Sequence, residues 1–187
     1  MSSTTPRVAI LVEDLYQDQE VWYPYYRLKE AGVDVVVVGT GKAEYKGKYG
    51  YPITPDTSAD RVSASEFDGV IVPGGFGTRG IEGIISAIKY VRTHNIPYLG
   101  LCYGMQLATI EFSRHVAGIR SATTAEQDPA ASHAVIHIMP DQEKKLLARD
   151  YGASMRLGSW PAKLKKGTRV QKAYGKNRID ERHRHRY

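Results

Sequence analysis

An open, mostly parallel β-sheet covered by helices on both faces, a three-layer α/β/α fold, is what this sequence predicts, on three observations. Strand-like and helix-like segments alternate as far as Gly118. The strand-like segments are nearly continuous valine-rich apolar runs, as strands buried on both faces require. The first strand, helix and strand fit within about 33 residues, the length of one βαβ unit.

The elements follow in order. Val8-Ala9-Ile10-Leu11-Val12 is the first buried strand, followed by the acidic loop Glu13-Asp14-Leu15-Tyr16-Gln17-Asp18-Gln19. Glu20 to Ala31 reads as a helix closed by Gly32. Val33 to Gly39 is the second strand, and Lys42 to Thr54, with Gly41, Gly47 and Gly50 nearby, is an exposed loop or small hairpin. Phe67 to Pro73 is a third core strand ending in the turn Gly74-Gly75-Phe76-Gly77. A helix from about Glu82 to His94 leads to the short strand Ile96-Pro97-Tyr98-Leu99-Gly100-Leu101, and Tyr103 to Val116 places apolar residues at helical spacing. Beyond Gly118 the pattern weakens: Ala134 to Met139 reads as a strand, Asp141 to Tyr151 as a short helix, and Ile179 to Tyr187 as a final strand. No repeat and no linker divides the chain, so residues 1–187 are read as one domain, long enough to bury about 70% of its unfolded surface.

Composition excludes several classes. With 42% apolar and 25% charged residues the chain is an ordinary globular protein. No apolar run approaches membrane-spanning length and the first residues lack the regions of a signal peptide. A single cysteine excludes an internal disulfide and suits a reducing compartment, so the expectation is a cytoplasmic protein. Residues 1–143 hold 12 Lys and Arg against 17 Asp and Glu, net −5, whereas residues 144–187 hold 14 against 3, net +11. No nucleic-acid motif accompanies this basic tail, so a solvated or oligomer-facing surface is the expectation rather than nucleic-acid binding.

The chemistry points to Gly100-Leu101-Cys102-Tyr103-Gly104. A cysteine between a strand and a helix, flanked by glycines, is the context of a nucleophile elbow, in which a sharp turn presents the side chain above the sheet edge. The helix N-terminus there favours thiolate over thiol. The N–H of Tyr103 and one from Gly74 or Gly75 can form an oxyanion hole. In a parallel sheet ligands bind beyond the carboxyl ends of strands, where the acidic loop, the Gly74-Gly75 turn and Cys102 all lie.

The general base is not evident. His94 and His115 fall near helix C-termini, where a structural role is expected. His133 and His137, on one strand, would stand about 13 Å apart at ~3.3 Å per residue, too far to share a metal. His183 and His185 are flanked by Arg182, Arg184 and Arg186. No metal site and no cofactor is expected. Glu20, at the start of a helix, is either a dipole-stabilising acid or a neighbour of the thiol, and Glu126 reads locally as a solvated loop acid.

Two resemblances divide the chain. Residues from about 68 to 187 resemble the glutaminase domain of CTP synthase, a class I glutamine amidotransferase, through Val72-Pro73-Gly74-Gly75-Phe76-Gly77 with Arg79-Gly80-Ile81-Glu82-Gly83, through Tyr98 to Ala108, through Met155-Arg156-Leu157-Gly158, and above all through Glu181-Arg182-His183-Arg184-His185-Arg186-Tyr187. That likeness implies Cys102 as a nucleophile forming a glutamyl thioester and releasing ammonia. It also implies Gly75 and Tyr103 as oxyanion or substrate contacts, and Gln106, Glu126 and Arg186 as the grip on the amino-acid end of glutamine. A carboxylate for an ammonium and a guanidinium for a carboxylate suit that role.

Residues from about 7 to 72 resemble the PfpI family of intracellular proteases and the Parkinson-associated deglycase, through Gln17 to Pro24, Arg27 to Gly32 and Gly47-Lys48-Tyr49-Gly50-Tyr51. Glu20 matches that family's glutamate beside the reactive thiol. Both families imply a flavodoxin-like sheet with a cysteine elbow. Amidotransferases of this class take their base from a His-Pro-Glu segment after the Arg-His-Arg-His-Arg-Tyr strand, and the sequence in hand ends at Tyr187; PfpI-like enzymes often carry histidine where Tyr103 stands. Three expectations follow: a glutaminase-like domain with weak or no turnover, acting on glutamine with a synthetase partner in trans or as a homo-oligomer; a PfpI-like hydrolase, deglycase or stress protein using Cys102 and Glu20; or a non-catalytic, truncated or recombined domain.

Overall fold

The computed structural model describes residues 5–75, 80–139 and 156–185. They fall into two compact units, Met1–Ile136 and His137–Tyr187.

The first unit is built on a parallel sheet. Its strands are β1 (Arg7–Leu11), β2 (Asp34–Gly39), β5 (Thr57–Ser58), β6 (Gly69–Val72) and β7 (Tyr98–Gly100), in the order β5-β2-β1-β6-β7. Ala9, Ile10, Val35 to Val38 and Val70 to Val72 are all buried, the burial that their continuous apolar runs demand. Between β1 and β2 runs helix α1 (Asp18–Glu30), with Asp18 and Glu20 in its first turn and Gly32 (φ 78°) just past its end. Helix α2 (Ile81–Thr93) joins β6 to β7, and α3 (Tyr103–His115) follows β7. The chain leaves β1 toward β2 on one side and returns through β6 to β7 on the other. With right-handed crossovers, α1 therefore lies on one face and α2 on the opposite one. This is the three-layer, flavodoxin-like architecture that the sequence predicts.

Helices α2 and α3 pack together, and Ile85, Ile88, Leu107 and Ile110 are all buried. They are also tied by an ion pair: Arg92 Nε and Nη2 each donate to the fully buried Glu111 carboxylate at 2.8 Å. The glycine-rich stretch after β2 is a hairpin, β3 (Tyr45–Lys46) with β4 (Pro52–Ile53), pinned by the buried Tyr45 and Ile53. Short β8 (Thr123–Thr124) and β9 (Ala134–Ile136) pair in parallel, so the strand expected to reach Met139 stops earlier.

The second unit is an antiparallel ribbon of β10 (Arg156–Lys163) and β11 (Arg178–His185), registered from Arg156 opposite His185 to Lys163 opposite Arg178. Between them lies the short helix α4 (Arg169–Tyr174), capped by Thr168 at its start and Gly175 at its end. The Arg156 guanidinium lies 3.8 Å over the Trp160 ring. The short helix expected over Asp141 to Tyr151 lies outside the described residues.

Candidate active site

Cys102 caps α3 immediately after β7, at φ 51° and ψ −112°. A positive φ in a residue with a Cβ is costly and persists only where its surroundings impose it. Here the surroundings are specific. Leu101 N donates to Val72 O (2.9 Å), holding the strand end to β6, and the half-buried Tyr98 hydroxyl donates to Gly104 O (2.8 Å). A Cβ on Gly104 would sit 2.9 Å from Val72 C and closer still to Val72 O, so only glycine lets α3 start this near β6. The elbow expected from the sequence is thus present as backbone geometry.

Topology brings the other groups to the sulfur. Sheet order reverses between β1 and β6, and the loops after those two strands face the crevice where such folds bind ligands. From the first turn of α1, half-buried Glu20 accepts a hydrogen bond from Gly74 N at 2.6 Å. Gly74 lies between the two side chains: a Cβ there would stand 2.8 Å from Glu20 Oε2, 2.8 Å from Cys102 Cβ and 3.0 Å from Cys102 Sγ. Of the two glycines expected to serve an oxyanion hole, Gly74 therefore has its N–H committed to Glu20. Gly75 sits at φ 104° against the backbone of Leu15 and Tyr16. The Tyr103 N–H donates to the thiol sulfur, and Gln106 is buried one turn further along α3. Glu126 lies after β8, and its charge acts on both Cys102 and Tyr103. Arg186 lies outside the described residues.

The electrostatics run against the simple helix-dipole expectation. Burial first, then the Glu20 carboxylate, push the Cys102 thiol up to about 11 from an ordinary 9.0; Glu126 adds to the push, while the Tyr103 N–H and the Lys48 ammonium oppose it. Burial also raises Glu20, against the hydrogen bond from Gly74, and raises the Tyr103 phenol, with Glu126, to about 12. A helix N-terminus contributes well under the cost of desolvating a thiolate beside two carboxylates. Lys48 was not singled out by sequence reasoning. The one signal was its place in Gly47-Lys48-Tyr49-Gly50-Tyr51, a cation set between glycines.

The histidines in the first unit have other engagements. His94 Nδ1 lies 2.9 Å from Tyr90 O with its ring stacked on Tyr90; His115 Nδ1 lies 3.3 Å from Glu111; and His133 Nδ1 lies 2.8 Å from Ser121 Oγ. In the second unit the His183 and His185 rings meet edge-on at 5.3 Å. Among the described residues no three His, Cys, Asp or Glu side chains gather as a metal site, and no helix is long and apolar enough to cross a membrane.

Known proteins resemble the chain that carries this site. The DJ-1/PfpI family model matches residues 6–130. The chain belongs to the DJ-1/PfpI family. A DJ-1 superfamily protein from Agrobacterium tumefaciens, 20% identical with a TM-score of 0.52 over 71% of this chain and 73% of its own, shares the fold. This DJ-1/PfpI chain is also 47% identical over 150 residues to CTP synthase of Staphylococcus aureus, a match covering 74% of this chain and 27% of that protein. It therefore spans about a quarter of the length of those curated relatives. The glutaminase domain of CTPS from Trypanosoma brucei, solved with acivicin bound, is similar over 98% of this chain and 67% of its own, with 31% identity and a TM-score of 0.72. The two resemblances read from the sequence are both present, and the domain is amidotransferase-like.

Proposed function

We propose that this domain is a glutaminase-type amidotransferase module in which Cys102 attacks the side-chain amide carbon of glutamine. The observation that carries the reading is the Cys102 elbow itself: positive φ, helix-capping position, and the Tyr103 N–H directed at the sulfur. In the step, the sulfur–carbon bond forms, the carbon–nitrogen bond breaks, and the thiol proton leaves with the amide nitrogen as ammonia; water then releases glutamate from the thioester. The Tyr103 and Gly75 N–H groups would stabilise the oxyanion, and Gln106, Glu126 and Arg186 would hold the amino-acid end. By analogy with CTP synthase, the ammonia would serve a synthetase partner in pyrimidine biosynthesis, in the cytoplasm. A thiol at about 11 is mostly protonated at neutral pH, which supports slow turnover.

A second reading, a PfpI-like hydrolase or deglycase, is favoured by one observation, the Glu20–Gly74–Cys102 contact. Incubation with 6-diazo-5-oxo-norleucine, followed by mass spectrometry with Cys102→Ser as control, separates the two. A single adduct on Cys102 that excess glutamine blocks supports the glutaminase reading. No adduct, while iodoacetamide still labels Cys102, overturns it in favour of the PfpI-like one.

A further inference from the structure

Where the start of α2 meets the end of α3, a cleft of about 450 Å³ opens, a size within the range of small-molecule sites. Three elements line it. Helix α2 supplies Glu82, Ser86 and Lys89 beside the buried Ile85, the last turn of α3 supplies Arg114 and His115, and the segment after α3 supplies Arg120. Arg114 is the fixed point. Its Nη1 donates to both oxygens of the Glu82 carboxylate (3.0 and 2.9 Å) and its Nε to Ala122 O (2.7 Å), with only 18% of the side chain exposed. The bond to Ala122 also fastens the segment that carries Arg120, which is held further by Ile119 N donating to Ser113 O and Ala122 N to Ile119 O, both at 2.9 Å. Arg114 Nη2 has no partner among the described residues, so its two N–H groups are left over. Lys89 and Arg120 make no ion pair among the described residues.

We propose that this cleft is a binding site for a phosphate-bearing small molecule, held by Lys89, Arg114 and Arg120. Three cations line it against one carboxylate, and Glu82 spends both of its oxygens on Arg114. The cleft thus concentrates positive charge within residues 1–143, whose 12 Lys and Arg are outnumbered by 17 Asp and Glu. Helix dipoles do not decide the sign: the start of α2 favours an anion, the end of α3 disfavours one, and both border the cleft. The spread of donors decides the kind of anion. A planar carboxylate is satisfied by one guanidinium fork, whereas donors here come from α2, α3 and the segment that follows, an arrangement suited to the several oxygens of a tetrahedral phosphate. The Ser86 hydroxyl adds a neutral donor. His115 is not counted, because its Nδ1 faces Glu111 at 3.3 Å. Cys102 caps the far end of α3, about 18 Å from Arg114 at ~1.5 Å per residue, so the cleft is separate from the thiol and the inference does not rest on the glutaminase reading.

Calorimetric titration of the full chain with inorganic diphosphate at constant ionic strength tests the site. One saturable event with a dissociation constant of about 1 mM or tighter is expected. Lys89→Gln and Arg120→Gln should each weaken it by about five- to tenfold, and the two together should abolish saturation. Arg61→Gln removes another exposed cation, one outside the cleft, and should leave binding unchanged. Citrate, also multiply charged but built of planar carboxylates, should bind at least about tenfold more weakly. The three substituted side chains are exposed, so melting temperatures should match wild type. Arg114 is left in place, because removing it would also take a partner from Glu82 and Ala122. Absence of saturable binding overturns the proposal, as does equal weakening by Arg61→Gln. Citrate binding as tightly as diphosphate overturns the assignment to phosphate.

Discussion

Replacing Gly104 by alanine tests the elbow at the point where the backbone leaves no room. The new Cβ would lie 2.9 Å from Val72 C and 3.0 Å from Val72 Cβ, with Val72 O closer still, whereas ordinary contacts begin at 3.4 Å. Val72 cannot give way cheaply, because β6 is registered between β1 and β7 with Val72 opposite Gly100. The first turn of α3 must retreat instead, by roughly 1 Å in a close-packed interior. Such overpacking costs about 1–3 kcal/mol. Against it stands a helix-propensity gain of at most about 1 kcal/mol for Gly→Ala. The clash is backbone on backbone, which no rotamer relieves, so net destabilisation of about 1–2 kcal/mol is expected. The retreat also moves Cys102 relative to Gly74 and Glu20, and a displacement of about 1 Å can cost on the order of 100-fold in reactivity. Urea unfolding and Cys102 alkylation rates read the two effects. Gly83→Ala on α2, where a Cβ meets nothing within 4 Å, is the control and should be neutral or stabilising. A Gly104→Ala protein as stable and as reactive as wild type would refute the packing account of the elbow.

Two further outcomes follow from the carboxylates of half-buried Glu20 and buried Glu111. Glu20→Gln keeps an acceptor for Gly74 N but removes a negative charge from beside the sulfur. Alkylation near neutral pH should become faster, with the thiol still above 9.0 because burial is the largest cause of its rise. The folded-state pKa of Glu20 is raised above 4.5, so its contribution to stability is present below that value and lost as pH rises through the folded pKa. Glu20→Gln should therefore gain in melting temperature over wild type between acid and neutral pH; an unchanged difference would contradict the shift. At the α2–α3 contact, Arg92→Met strands the Glu111 carboxylate with only His115 beside it, whereas Arg92→Met with Glu111→Leu leaves no buried charge. The double variant should melt higher than the single one, and the reverse order would show that the ion pair does not govern this contact.

Most of the sheet was legible because its signal is local. The apolar runs at Val8 to Leu11 and Val35 to Val38 leave no solvent-facing alternative, and glycines on both sides of Cys102 mark the turn wherever the chain goes next. Strand β5, Thr57–Ser58, is too short to show any period. Strand β10 contains Gly158 and Pro161, residues that argue against a strand; it exists because β11 pairs with it along eight residues, in a two-stranded ribbon where proline leaves few bonds unmade. The electrostatics of the site were legible only in part: the resemblance put Glu20 beside the thiol, but the direction in which the thiol shifts was not. Glu20 and Glu126 are remote from Cys102 in sequence, so their effect on the thiol depends on burial and strand order, which no residue pattern displays.

The convergence itself is a product of topology more than of any motif. Because β1 and β6 are neighbours while their helices lie on opposite faces, the first turn of α1 and the turn after β6 meet at one edge; Glu20 reaches Gly74 there without any sequence proximity. Strand β7 sits next to β6, so the elbow that follows it delivers Cys102 against the same glycine. In this chain two carboxylates act on the sulfur from different directions, Glu20 from α1 and Glu126 from beyond β8. Both push the thiol the same way. A scaffold that carries both accepts a largely protonated thiol, which ties the reactivity of Cys102 to how burial and these two charges change when a substrate fills the site.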